Sequence, residues 1–301
     1  MSSRTIGAIA LLAVAPAFAG TPINQSRPLA ADGQVHIENI QGRITVRTWN
    51  QPQVRITGSL GKGAEKLDIS GDARSLDIQV RYPDNGGWKL WGKRGNDSEP
   101  TILEITVPQR ASLDIESVSA DIDVQQMAGR KLQVASVSGA IVVTASSPGE
   151  ASFENVSGDS TLRITSNKVK VESVSGEIRL QGGLAGDVEM ESVSGNINLV
   201  AAALARLQVS TVSGASHLRA ALRPSGEIEV ETLSGVLELS LPASTSAKLH
   251  AESFSGDIRS ASGTVQREEH GPGKSLDATL GSGQGRIRLE SFSGDLRLDL
   301  H

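Results

Sequence analysis

Nine times between residue 116 and the C-terminus the chain repeats a phrase of the form Glu-Ser-Val-Ser-Gly, and seven of the copies carry hydroxyls beside a carboxylate. A nucleophilic serine needs a neighbouring base and an oxyanion hole, and the hydrolase elbow is written G-x-S-x-G. The phrase does not match that elbow, and the five histidines (His36, His217, His250, His270 and His301) hold no constant register to it. Nine equivalent serines are a structural ladder, and no catalytic residue is expected. The G-P-G-K-S stretch at 271–275 resembles a phosphate loop, but Glu268 stands where the motif needs its first glycine. Acidic residues after the repeat glycine (Asp159, Glu177, Asp257, Asp295) could line up with Glu154, Glu172, Glu191, Glu231 and Glu252 and attract calcium. Ala140, Asn196, Ala215 and Val236 interrupt that column, and Arg163, Arg179, Arg259 and Arg297 stand ready to neutralise it. No metal and no cofactor is expected. The candidate partner surface is a polar insertion at 83–100, where Trp88, Lys89, Trp91, Lys93 and Arg94 concentrate aromatic and basic groups in an acidic, aromatic-poor chain. The plainer reading is that the two tryptophans cover an end of the apolar interior.

The elements that must position these residues follow from the period. The phrase's fifth position falls at Ala120 and then at Gly139, Gly158, Gly176, Gly195, Gly214, Gly235, Gly256 and Gly294, at intervals of 18 to 21 residues with one doubled. A unit of about 19 residues is short for helical repeats and suits one coil of a β-solenoid. Leu113 and Ile115 share one parity, and Val118, Ile122 and Val124 the other. Side chains alternate across a strand, so the pattern predicts a bend near Glu116-Ser117 and an inward-facing Val118. The glycine column then marks where the walls approach too closely for a side chain. An antiparallel meander turning at Ser-Gly is the rival, but such hairpins favour Asn-Gly or Asp-Gly. The expected fold is all-β, a single elongated parallel β-solenoid (β-helix) of roughly 19-residue coils. Residues 35–112 are its N-terminal coils or cap and 113–301 the regular repeats, with a Gly-rich excursion at 261–285.

Composition agrees. Aromatic residues make up 3% of the chain and glycines number 32, which leaves a thin core of Val, Ile, Leu and Ala. There is no cysteine, so backbone pairing and packing alone must hold the fold. Arg4, an apolar run from Ile6 to Val14 and the box Ala17-Phe18-Ala19 form a secretory signal peptide over 1–19, followed by a flexible segment at 20–34. The run is too short to span a bilayer, and no later segment is apolar enough. Loss of Arg4 moves the formal net charge from −5 to about −6, which disfavours nucleic acid and anionic membranes as partners.

The stretches V-H-I-E-N-I-Q-G-R-I-T-V-R-T-W (35–49), I-T-V-P (105–108) and the closing L-G-S-G-Q-G-R-I-R-L-E-S-F-S-G-D-L-R-L (280–298) resemble the bacterial putative-adhesin β-strand-repeat family, an exported domain of unknown function. The resemblance covers roughly 35–301 and implies a β-solenoid in the cell envelope; it carries no catalytic motif. The expected function is an exported, non-enzymatic adhesin-like binding or scaffold module, periplasmic or extracellular, recognising an envelope polysaccharide or protein. The alternative is a carbohydrate-active β-helix enzyme, a polysaccharide lyase or hydrolase, which would need carboxylates converging with Lys or Arg on one groove. An ice-binding face fits less well, because outward positions mix Asp, Glu, Arg and Ser. Ending on L-R-L-D-L-H in mid-strand, the last coil would offer an edge for end-to-end self-association.

Overall fold

The computed structural model describes residues 20–83, 99–269 and 271–301. All the regular structure there is β: twenty-three strands in one mixed sheet. The period-2 pattern forms the strands directly. In β8 (Lys131–Ser136), for example, Leu132 and Val134 are buried while Lys131 is exposed.

Each repeat folds as a row of two strand segments separated by the Ser-Val-Ser-Gly turn. The first segments, β8, β10 (Glu150–Asn155), β12 (Ser166–Ser173) and β14 (Leu184–Ser192), stack in parallel register. The second segments, β9 (Ile141–Ser146), β11 (Ser160–Ile164) and β13 (Ile178–Gly182), form a parallel ladder of their own. Longer strands, β7 (Ser112–Gln125), β15 (Ile197–Thr211) and β16 (Ser216–Thr232), join both ladders. Like stacks on like: Leu132, Ala151, Val169, Val188 and Leu207 follow one another row by row. Apolar side chains of both ladders merge into one buried cluster.

All-β is as expected; the single parallel β-solenoid is not. The sheet mixes both directions, and rows do not stack in chain order. At one end β2 (Gln34–Trp49) lies between β7 and the later strands β5 (Ser75–Arg81) and β6 (Thr101–Pro108). Antiparallel strands then cover that end: β4 (Lys66–Gly71) on β5, β3 (Gln53–Leu60) on β6, and β1 (Thr21–Pro28) on β3. At the other end β22 (Gly285–Ser291) sits between β16 and β18 (Ala247–Ser253), and β21 (Lys274–Leu280) pairs antiparallel outside β18. The physical reason is that a stack of parallel rows leaves unpaired N–H and C=O groups at both ends, and local hairpins satisfy them.

Two further expectations change with it. Residues 20–34, read as flexible, include β1, paired along its whole length. The C-terminal strand β23 (Asp295–Leu300) is not an edge, since β17 (Val236–Leu241) flanks it on one side and β19 (Ile258–Ser260) on the other.

Candidate functional site

The repeated turn builds a long surface feature among the described residues. Its first serine looks inward and closes the turn: the Ser192 Oγ accepts the Gly195 N–H at 3.0 Å, and Ser173 does the same for Gly176. In one row Asn155 takes the same role toward Gly158. The second serine is exposed and ties rows together. Its hydroxyl donates to the valine carbonyl of the preceding row, as from Ser194 to Val174 at 3.1 Å and from Ser213 to Val193 at 3.2 Å. In these rows both hydroxyls are committed to the backbone, whereas the Thr211 hydroxyl donates to Thr232 Oγ1 at 3.0 Å.

The glycines are required by what lies beside them in the stack, and not by the opposite wall. A Cβ on Gly176 would lie 1.9 Å from the carbonyl oxygen of Gly158, and one on Gly195 would lie 2.0 Å from that of Gly176. Gly235 adds a positive φ of 129° to the same crowding. Gly139, Gly158, Gly214, Gly256 and Gly294 stack in the same column.

With Ser and Gly pinned inside, the valine between the serines is thrown outward, so the expected inward Val118 is corrected. The tight turn interrupts strand alternation between Ser117 and Ala120, and parity cannot be counted through it. The spacing Ser-x-x-Gly was the signal that could have shown this, since a hydroxyl capping an N–H three residues on marks a turn. The result is a column of exposed apolar side chains. It starts at Ile40, runs through the valine of every row from Val118 to Val212, and ends on Leu233, Phe292 and Phe254, each between 44% and 55% exposed. The last two rings stack at 5.0 Å between centroids and 11° between planes.

Beside this column runs another of carboxylates, two residues earlier in the phrase. Together they line an open groove of about 1460 Å³ that includes Glu38, Glu116, Glu154, Glu172, Glu191, Glu231, Glu252 and Glu290. Among the described residues the single Lys or Arg on its lining is Arg81. Some of these carboxylates have partners two residues back. Lys170 bridges Glu172 at 2.7 Å and Glu189 at 3.1 Å, which lifts the Lys170 pKa above its ordinary range, and Arg288 pairs with Glu290. Glu116, Glu154, Glu191 and Glu231 make no salt bridge among the described residues. The Glu191 carboxyl is pushed up, first by burial and then by its hydrogen bond with Glu189.

One end of the groove is lined by Tyr82, whose hydroxyl donates to Asn39 Oδ1 at 3.1 Å and whose pKa burial raises. On the outer face near that end, His36 lies 3.1 Å from Glu38 and 3.4 Å from Asp114. Burial alone would lower the His36 pKa, but the Glu38 hydrogen bond and the Asp114 and Asp77 charges raise it. His36, Asp114 and Glu116 form the one group of metal-ligand type among the described residues.

Of the residues read as a partner surface, Trp88, Lys89, Trp91, Lys93 and Arg94 lie outside the described residues. Their flanks are placed: Arg81 and Tyr82 line the groove's end, and Gln41 Nε2 donates to the Glu99 carbonyl at 3.4 Å. The G-P-G-K-S stretch leads into strand β21, and Lys274 is spent on the Gly256 carbonyl and the Asp257 carboxylate, whose pKa its contact lowers. Among the described residues no helix is long and apolar enough to cross a membrane.

The family model described as Toastrack DUF4097 matches residues 33–299. A comparison with curated proteins finds no match. Among solved structures, a protein of Parabacteroides merdae described as a "putative adhesin" is 9% identical over 94% of this chain and 97% of its own, with a TM-score of 0.53. Another of the same description, from Parabacteroides distasonis, is 12% identical over 92% and 98%, with a TM-score of 0.52. At these identities the likeness concerns the fold.

Proposed function

The chain belongs to the Toastrack DUF4097 family, a putative-adhesin domain of unknown function, and on that premise we propose that it is an exported, non-enzymatic, adhesin-like binding module of the bacterial envelope. Its working surface is the groove along the repeated turns. The observation that carries this reading is the column of half-exposed aliphatic and aromatic side chains kept from Ile40 to Phe254. Soluble proteins seldom leave so continuous an apolar surface open unless something covers it. The column is supported from behind by a side-chain-capped turn in seven of its ten rows, so it is a rigid, pre-formed face that orders little on binding.

The test is binding of an extended polymer to the purified chain and to a Val156→Thr, Val174→Thr, Val193→Thr variant, using fractionated envelope polysaccharides and defined polypeptides. Loss of binding with an unchanged unfolding midpoint is expected. Binding that survives the substitutions places the working surface elsewhere, and catalytic turnover of any of these polymers overturns the non-enzymatic reading. Secretion of a chain that begins at Gly20 is expected if 1–19 is a cleaved leader.

A further inference from the structure

Resting on the groove as the binding surface, we propose that its occupant is a basic amphipathic polypeptide, whose apolar side chains lie on the valine column while its Lys and Arg side chains meet the glutamate column. Two independent features of the groove lead there. The first is charge: among the described residues eight glutamates line it against one arginine. The second is the kind of apolar surface. Most of the column is branched aliphatic, and its only two aromatic side chains stack on each other at one end, which takes up one face of each ring. Sugars favour open aromatic faces. Acyl chains would fit the aliphatic column but offer nothing to the carboxylates, and the anionic headgroups of bacterial lipids would be repelled by them.

The dimensions suit a chain segment. Ten rows about 4.8 Å apart give a column about 43 Å long. A carboxylate stands beside the apolar side chain in eight of those ten rows, interrupted at Ala135 and Ser210, as an amphipathic segment presents its two stripes. Glu154, Glu191 and Glu231 carry most of the recognition, because they have no salt bridge to give up. Phe292 and Phe254 anchor one end, where a large apolar residue gains the most contact.

The experiment measures binding of the full chain to four probes: a 20-residue Leu/Lys amphipathic peptide, its Leu/Glu counterpart, a soluble neutral glucan, and zwitterionic lipid vesicles. Three variants are compared: Glu154→Gln, Glu191→Gln, Glu231→Gln; Val156→Thr, Val174→Thr, Val193→Thr; and Glu104→Gln, Asp123→Asn, Asp187→Asn, which removes equal charge away from the groove. The Leu/Lys peptide is expected to bind, at least tenfold more weakly to either groove variant and unchanged to the third, with affinity falling as salt rises. If the Leu/Glu peptide, glucan or vesicles bind instead and the valine variant abolishes it, the groove stands and the basic polypeptide is overturned. Equal weakening by the third variant reduces the attraction to net charge and overturns the proposal. Leu/Lys binding untouched by both groove variants, or no binding by any probe, overturns the proposal and the groove reading together. A synthetic peptide of residues 84–98 that competes with the Leu/Lys peptide would identify the chain's own insertion as the occupant and overturn an external partner.

Discussion

The Ser-x-x-Gly turn and the turn at the far end of each row handle the same strands in opposite ways. At the first, register passes unbroken from row to row: Glu154 pairs with Glu172, Glu172 with Glu191, and Glu191 with Ser210. At the second, register slips between Leu162 and Ile164, between Ser166 and Lys168, and twice between Val200 and Arg206. Non-glycine residues there also take left-handed conformations, Ala145 at φ 49° and Ser225 at φ 61°. Differences in repeat length are therefore absorbed at the far turn. Its freedom lets the near turn keep its register from row to row, and an unbroken groove requires that constancy.

The contrast is most strongly tested at the glycines. Gly176→Ala puts a methyl group against the Gly158 carbonyl and should cost about 3–5 kcal/mol in denaturant unfolding. Gly149→Ala at the far turn, with 3.0 Å to the Arg130 carbonyl, should cost about 1 kcal/mol or less. Equal costs would erase the distinction between the turns. Next comes the cap: Ser192→Ala strands the buried Gly195 N–H and should cost about 1–2 kcal/mol, whereas Ser194→Ala, on the exposed side, should cost about 0.5 kcal/mol. A larger loss from Ser194 would mean that ties between rows, and not the turn itself, hold the corner.

The smallest effect separates the end row from the interior. His36 has a raised pKa in the fold, so its protonated form is stabilised by folding. That contribution is complete below the ordinary histidine value of about 6.5 and is lost as pH rises through the folded value. Unfolding midpoints followed from about pH 6 to pH 8 should fall slightly more in the wild type than in His36→Gln, by less than the Ser192 effect. Parallel curves would remove His36 from the pH response.

Much of this was legible in the residues. The repeat, the all-β class, the glycine column and the structural role of the serines all follow from spacing and alternation, because strand side chains have a period of two and stacked rows place like on like. The groove was not legible, although its residues were in plain view. Counting parity through Val118 put the valine inside; one hydrogen bond from the Ala120 N–H to the Ser117 Oγ puts it outside. The attention given to Trp88 and Trp91 followed the unusual composition of 83–100, whereas the described candidate surface is made of the commonest words in the repeat.

The end rows draw the remaining line. Sequence alone determined that rows of about 19 residues would stack, since each buries its apolar face only against a neighbour. Their order was decided in three dimensions: β2 and β22 lie inside rows that follow or precede them in the chain, and antiparallel strands cover the ends. Pairing energy between equivalent rows is nearly the same whichever neighbours meet. The choice therefore falls to the connections and to the need to satisfy the last backbone groups, which no single repeat encodes.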